Sequence, residues 1–399
     1  MKLKLPMSWT GFIFTMFFAL LPFRGITQEE CSTYKNPKWS TKMREIEKVL
    51  GSLLLDLNSD ERYNNPKNFK KIERSAQQLA DHAHDLSSKK MVFPDGDPTL
   101  PWIAGQFSSE ADFAVKSMKW GNRAYSRDVL KSVTRFCVAC HTRNSDGPSL
   151  VSLTAPSGFE SLRTLERGNF YTAIRQFDRA LDEYQKLISE PRATENYLYD
   201  WEKAARSSLA LVIRVKKNPD RALVIVEKVL ANTKAPFFFK EQALQWKESL
   251  KSWKNEPSEK PMTEEGYFAL AIKLMSQAKE IQKYPYDRSA DVLYLRASAV
   301  LHDLLALYPK SLRSAEALYF LGLCYEVLRD VNLNEGNEFY YLACIHNSPH
   351  SDRSRECFKH YEQSVYLGFS GSGGTDIPNE VRKKLNELDA LSKKQKEEK

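Results

Sequence analysis

Several common sequence signals are scarce in this chain of 399 residues. After residue 158 no run of useful length alternates polar with apolar residues, which argues against a strand-rich fold. The formal net charge is only +8, and no basic stripe is interleaved with aromatic residues, so nucleic-acid binding is not indicated. The same region has no evident nucleophile–base set or metal cluster, and we expect no catalysis there. The remaining helical periodicity predicts an all-α fold.

The one pronounced apolar stretch lies at the N-terminus and has the pattern of a signal peptide. Lys2 and Lys4 precede the apolar segment 11–21, and Gly25 and Thr27 are small residues at plausible cleavage positions. The segment is shorter than the about 20 residues that a membrane span needs. We therefore expect residues 1–27 to be removed and the rest to be a soluble periplasmic protein. The alternative is an uncleaved membrane anchor.

The motif Cys137-Val-Ala-Cys140-His141 is the part of the sequence that indicates a specific chemical function. Two thiols three residues apart lie on one face of a helix and can bond the two vinyl groups of one haem. The adjacent histidine can then bind the iron as its proximal ligand. The sequence therefore predicts one covalent haem c, with His141 on the metal.

Two other interpretations of the cysteine pair are weaker. A thioredoxin-type redox site would need a surrounding βαβ pattern, and a zinc site would need a second Cys/His pair at suitable spacing. Neither occurs near the motif. Among the other cysteines, Cys344 and Cys357 are the nearest candidates for a disulfide in an exported protein. Cys324 reads as a small buried side chain, and Cys31 as an ordinary cysteine.

Four amphipathic helices are predicted between residues 40 and 143. The third spans about Ser108 to Gly121, and a proline-containing loop, roughly Ser88 to Gln106, precedes it. The apolar spacing of three and four residues is typical of an antiparallel bundle. It is carried by Met43, Ile46, Leu50, Leu53 and Leu57; by Phe69, Ile72, Ala76, Leu79, Ala83 and Leu86; by Phe113, Met118 and Trp120; and by Val129, Val133, Phe136 and Cys140.

This arrangement, with the haem motif near the end of the last helix, resembles cytochrome c′ and its low-spin relatives. The resemblance covers about residues 36–144 and implies a four-helix-bundle cytochrome domain, which we place at residues 28–150. One departure is that Ser145 stands where the family usually has a basic residue, four positions after the ligand histidine; Arg143 is two positions after it.

The resemblance also implies that a residue of the first helix faces the distal side of the iron. Met43 lies there, and its thioether would make the iron six-coordinate and raise its reduction potential. Ordinary core packing is the alternative for this side chain. Met118 is a less favoured ligand, and His82 and His84 miss the apolar stripe. We expect surface or structural roles for His302, His346, His350 and His360.

After a linker at about residues 143–158, the helical segments resemble tetratricopeptide repeats. The pattern Gly168-x-Phe170-x-x-Ala173-x-x-x-Phe177-x-x-Ala180 has the spacing of a second repeat helix, and the segment 318–325 that of a first. We place repeat regions at residues 158–253 and 262–368, followed by a Gly-rich turn and a charged C-terminal helix at 369–399. An irregular helical array is the alternative, because the 34-residue period is not kept.

These features predict a non-enzymatic electron carrier whose repeats dock a redox partner protein. A five-coordinate gas-binding or sensory cytochrome is one alternative, and a scaffold protein with a structural haem is another. Bundles of the resembled family often pair, so a homodimer is possible.

Overall fold

Helices make up nearly all the regular structure in the computed structural model, which describes residues 37–88, 97–143, 159–256, 262–285, 287–328 and 336–393. The predicted all-α class is confirmed. The predicted signal peptide, Cys31 and most of the predicted linker lie outside these residues. Among the described helices, none combines the length and apolarity needed to cross a bilayer.

The first six helices are α1 (Pro37–Asn58), α2 (Asp60–Asn64), α3 (Phe69–Ser87), α4 (Leu100–Lys119), α5 (Arg123–Ser132) and α6 (Thr134–His141). A short 3₁₀ turn, Pro66–Asn68, precedes α3, and a second one, Phe159–Ser161, follows α6.

The remaining helices are α7 (Thr164–Ala173), α8 (Phe177–Ser189), α9 (Ala193–Asn196), α10 (Leu198–Ala210), α11 (Pro219–Ala231), α12 (Phe237–Lys254), α13 (Glu264–Ile281), α14 (Asp291–Leu307), α15 (Ser314–Val327), α16 (Gly336–Asn347), α17 (Asp352–Gly368) and α18 (Asn379–Ser392). A π-helical turn, Leu211–Val215, continues α10. Between α17 and α18, the Gly-rich segment forms an antiparallel hairpin of β1 (Ser370–Gly371) and β2 (Gly374–Thr375).

Two hydrophobic cores hold the described helices together. The N-terminal core contains most of the predicted stripes of α1 and α3, with Leu53, Leu57 and Ile72 fully buried. Phe69, at the start of α3, lies outside this core, and its ring centre is 3.7 Å from the Arg123 guanidinium. It also takes in side chains from far along the chain: Phe159, Leu162, Phe170, Ile174 and Phe339. The C-terminal core comprises buried residues between Leu165 and Leu388. The N-terminal core is thus completed by helices that belong mainly to the other one.

The predicted third helix begins too late. The structure starts α4 at Leu100 rather than Ser108, because Pro101 is tolerated in a first helical turn. Asp97 Oδ1 accepts hydrogen bonds from the Thr99 backbone N–H at 2.9 Å and from its hydroxyl at 2.6 Å, which fixes the chain just before the helix. Met118 is buried as expected.

Two aromatic residues of that predicted stripe are exposed instead. Phe113 is 44% and Trp120 73% exposed, and they contact each other edge to face on the surface. The predicted fourth helix is also interrupted, between α5 and α6, at Val133. There the Ser132 and Thr134 hydroxyls bond to backbone carbonyls three residues earlier, in competition with the helical pattern.

The segment that resembles a second repeat helix is two helices, α7 and α8, because the turn at Ile174–Gln176 separates them. Arg175 in this turn has φ +62°, a left-handed conformation that ends a helix. The segment 318–325 lies within the single helix α15, as predicted.

The same close contact recurs in two helical hairpins. A Cβ at Gly168 in α7 would lie 2.3 Å from the Tyr184 ring in α8, and one at Gly322 in α15 would lie 2.2 Å from the Tyr341 ring in α16. Only glycine lets these helices approach so closely. This repeated pairing is a physical similarity between two distant parts of the helical region.

The C-terminal helices are joined covalently. Cys344 in α16 and Cys357 in α17 form a disulfide with a Cα–Cα distance of 6.3 Å, which confirms the predicted pair. Cys324 is buried and unbonded to another cysteine, also as predicted. Helix α18 docks through buried Leu385 and Leu388.

We predict that Gly322→Ala destabilises the protein by about 1–3 kcal/mol, because the new methyl group overpacks the α15–α16 contact. Urea unfolding followed by circular dichroism measures the change. Gly105→Ala in α4 is the matched control: its Cβ would meet nothing within 4 Å, and helix propensity alone favours alanine there. Equal destabilisation by both substitutions would contradict this account.

Candidate functional site

A single apolar cavity gathers the predicted site residues. It encloses about 690 Å³ of atom-free space, a figure that includes open solvent at its mouth. Helices α1, α3, α4, α6 and the end of α7 form its walls. The lining side chains are Trp39, Met43, Ile46, Glu47, Leu50, Leu86, Leu100, Ile103, Ala104, Phe107, Phe136, Cys137, Cys140, His141, Ala173 and Ile174.

Both motif cysteines of α6 face this cavity and are not bonded to each other. Burial raises the pKa of the Cys137 thiol to about 12, and the neighbouring Cys140 adds to the effect. Burial likewise raises the pKa of Cys140 to about 11, against the opposing charge of Arg143. Reactive dithiol centres have the opposite property, a lowered thiol pKa. The two thiols of the folded site lack the lowered pKa of such centres.

His141 is held as a neutral imidazole. Its Nδ1 donates a hydrogen bond to the Ala173 carbonyl oxygen at 2.5 Å. Burial, with the nearby charge of Arg175, lowers the pKa of His141 to about 4, although the bond to Ala173 opposes the shift. Because Nδ1 carries the proton, the lone pair is on Nε2, the arrangement found in metal-binding histidines.

The turn after α7 contacts His141 a second time. Arg175 Nη1 donates to the His141 backbone oxygen at 3.1 Å, and this arginine is 7% exposed. Sequence reasoning missed this contact because no local pattern links residues 141 and 175.

Arg143 was assigned to the start of the linker, and that assignment is wrong for this residue. Arg143 is 5% exposed, and its guanidinium donates to Asp97 and Thr99, while Nε donates to the Ala139 oxygen at 3.0 Å. Its guanidinium also lies 5.3 Å from the centre of the Tyr340 ring in α16. Arg143 thus connects the end of α6 to the start of α4 and to the C-terminal helices.

Met43 lies on the α1 wall of the cavity. Met118 is buried in α4 and belongs to the N-terminal core, outside the set of lining residues. His84 is exposed, and His82 is half-buried beside Glu45, at 3.5 Å.

The other histidines lie away from the cavity walls. His302 is buried and hydrogen-bonds through Nε2 with the hydroxyls of Tyr325 at 3.2 Å and Tyr340 at 3.0 Å. His346 packs on Trp102, with ring centres 4.8 Å apart. The remaining two bond through Nδ1 to the C-terminal helices: His350 to the Lys393 oxygen and His360 to Glu326.

No three His, Cys, Asp or Glu side chains come close enough, within the described ranges, to hold a bare metal ion. A structural zinc site needs about four such ligands. A haem iron needs only axial ligands from the protein, because the porphyrin supplies four nitrogens. The cavity wall contributes one imidazole, from His141, and one thioether, from Met43.

One cavity residue escaped the sequence analysis. Glu47, one helical turn after Met43, is 7% exposed, and its Oε1 has no hydrogen-bond partner. Burial raises its pKa to about 7, although Arg44 opposes the shift. The sequence did offer a signal for this residue. Glu47 is a charged residue at the edge of the apolar stripe of α1, beside Ile46 and four residues after Met43.

No family model matches the chain, and no curated protein or solved structure matches it significantly.

We predict that Glu47 makes stability fall as pH rises from about 4.5 to 7. In this window the folded state keeps the carboxyl proton while the unfolded chain, with its ordinary pKa of 4.5, releases it. The Glu47→Gln variant should lack this part of the slope in urea midpoints measured from pH 4.5 to 8. Glu61→Gln, at an exposed position of α2, is the control. Parallel pH profiles for Glu47→Gln and the parent would refute the assignment.

Proposed function

We propose that this chain is an exported c-type cytochrome with one covalent haem, which transfers single electrons and docks a redox partner through its helical repeats. The observation that carries the proposal is the shared cavity: two thiols, a neutral imidazole and the Met43 thioether line one apolar space. Helices α1, α3, α4 and α5–α6 would be the cytochrome bundle, and α7 to α17 the tetratricopeptide-like region.

The chemistry of the donor set fits this group. Cys137 and Cys140 would hold it by thioether bonds, and His141, with its proton on Nδ1, offers Nε2 as the proximal ligand. The apolar walls exclude water, and a low-dielectric surrounding raises the potential of a buried redox group. Bound there, a haem would supply one-electron chemistry at its iron.

Met43 is the proposed sixth ligand. It shares the cavity with His141 but lies on a different helix, α1 rather than α6. A thioether ligand favours the reduced state and suits an electron carrier. If Met43 does not bind the metal, the same cavity suits the alternative of a gas-binding cytochrome.

Two observations support export and partner binding. The disulfide between α16 and α17 is the kind of bond that persists in an oxidising compartment such as the periplasm. Exposed aromatic residues stand on the helical region at the beginnings of α10 and α12, where Tyr199 is 70% and Phe237 76% exposed. Exposed aromatic side chains are enriched in protein interfaces.

The haem attachment can be tested by mass. Export by a haem-competent host should yield the processed polypeptide plus one haem, and Cys137→Ser with Cys140→Ser should remove that addition. Cys324→Ser, another buried cysteine substitution, is the control and should retain it. The bare polypeptide mass from the parent chain would overturn the proposal.

The axial ligand can be tested by absorption spectra. We expect a low-spin parent and a high-spin Met43→Leu variant, because leucine keeps the volume but removes the sulfur. Met118→Leu makes the same change elsewhere in the N-terminal core and should leave the spectrum low-spin. A parent that is already high-spin and binds carbon monoxide readily when reduced would instead favour the gas-binding function.

A further inference from the structure

Helix α16 of the repeat region reaches the walls of the cavity. The ring of its Tyr340 lies 5.3 Å from the guanidinium of Arg143, just after the motif. Further along α16, His346 packs on Trp102 of α4, with ring centres 4.8 Å apart. Trp102 in turn lies two residues after Leu100, which lines the cavity. The repeat region and the cavity walls therefore meet at α16.

The contact between Trp102 and His346 ends at the protein surface, because Trp102 is half-buried and His346 is exposed. The exposed aromatic residues Tyr199 and Phe237 differ in their location. They stand on α10 and α12, which contribute no side chain to the cavity. An electron passes between two proteins efficiently only over a short distance through packed atoms. The surface at Trp102 and His346 is therefore the better placed of the two for electron exchange with a partner.

Lys384 of α18 gives this surface a positive charge. Partial burial lowers the pKa of His346, and the nearby charge of Lys384 lowers it further. The Lys384 side chain is exposed, with its ammonium group 5.8 Å from the centre of the Tyr361 ring, and no described carboxylate pairs with it. The adjacent Lys383 differs, because it pairs with Glu387 at 4.0 Å. The charge of Lys384 is therefore available to a partner.

We propose that the face formed by Trp102, His346 and Lys384 is the docking site of a redox partner protein with an acidic surface. The inference rests on the proposed function and names the face and the charge of the partner. A positive face attracts an acidic protein during diffusion and helps to fix its orientation. The charge of the whole chain agrees with this choice, because Lys and Arg outnumber Asp and Glu by 59 to 51.

The test is the oxidation of the reduced, haem-loaded protein by two small reagents of opposite charge, followed by stopped-flow absorbance. Ferricyanide is an anion and tris(phenanthroline)cobalt(III) a cation, and each accepts one electron. Lys384→Glu reverses the charge of the docking face at an exposed position. At low salt it should slow oxidation by ferricyanide about fivefold and accelerate oxidation by the cobalt complex. Both changes should vanish in about 1 M salt, where the screening length is about 3 Å.

Lys203→Glu is the matched control. Lys203 also lies over a tyrosine ring, at 5.4 Å from the centre of the exposed Tyr199 ring, and the substitution changes the net charge by the same amount. It should leave both oxidation rates nearly unchanged. An effect of Lys203→Glu equal to or larger than that of Lys384→Glu would overturn the inference and leave the proposed function intact. A parent chain without attached haem would overturn both, and the mass measurement separates the two failures.

Discussion

The hydrogen bond from His141 Nδ1 to the Ala173 oxygen is the interaction on which the site depends. It fixes the tautomer of the imidazole, and it does so with a carbonyl at the end of α7, outside the helices that carry the motif. That end of α7 also supplies Ala173 and Ile174 to the cavity wall. The orientation of one ring nitrogen therefore requires that α6 and α7 be packed together.

Other contacts hold the same junction. Phe339 of α16 enters the N-terminal core, His346 packs on Trp102 of α4, and Arg143 reaches toward Tyr340. All three join the C-terminal helices to elements beside the cavity. The arrangement of the cavity walls therefore depends on helices from both ends of the chain.

Local patterns explain what the sequence predicted and distant contacts explain what it missed. The apolar stripes of α1 and α3, and the shared helix face of Cys137 and Cys140, follow from residue spacing within one helix. They were therefore predictable from the sequence. The early start of α4 depends on an Asp97 side chain just before it, and the break at Val133 on hydroxyls that compete for carbonyls. The roles of Ala173, Arg175 and Arg143 arise from packing between residues 30 or more apart, for which one sequence carries no signal.

The N-terminal core contains side chains from both the first helices and much later ones, and this limits which segments of the chain recombination can exchange. A fragment that ends at residue 150 would lose Phe159, Phe170, Ile174 and Phe339 from its interior, together with the acceptor for His141. Recombination that exchanged only the motif-bearing segment would deliver an open, partly wet cleft. We therefore expect the motif-bearing helices and the later helices that complete their core to change together. A substitution in the α7–α8 turn would then be compensated by one near the motif.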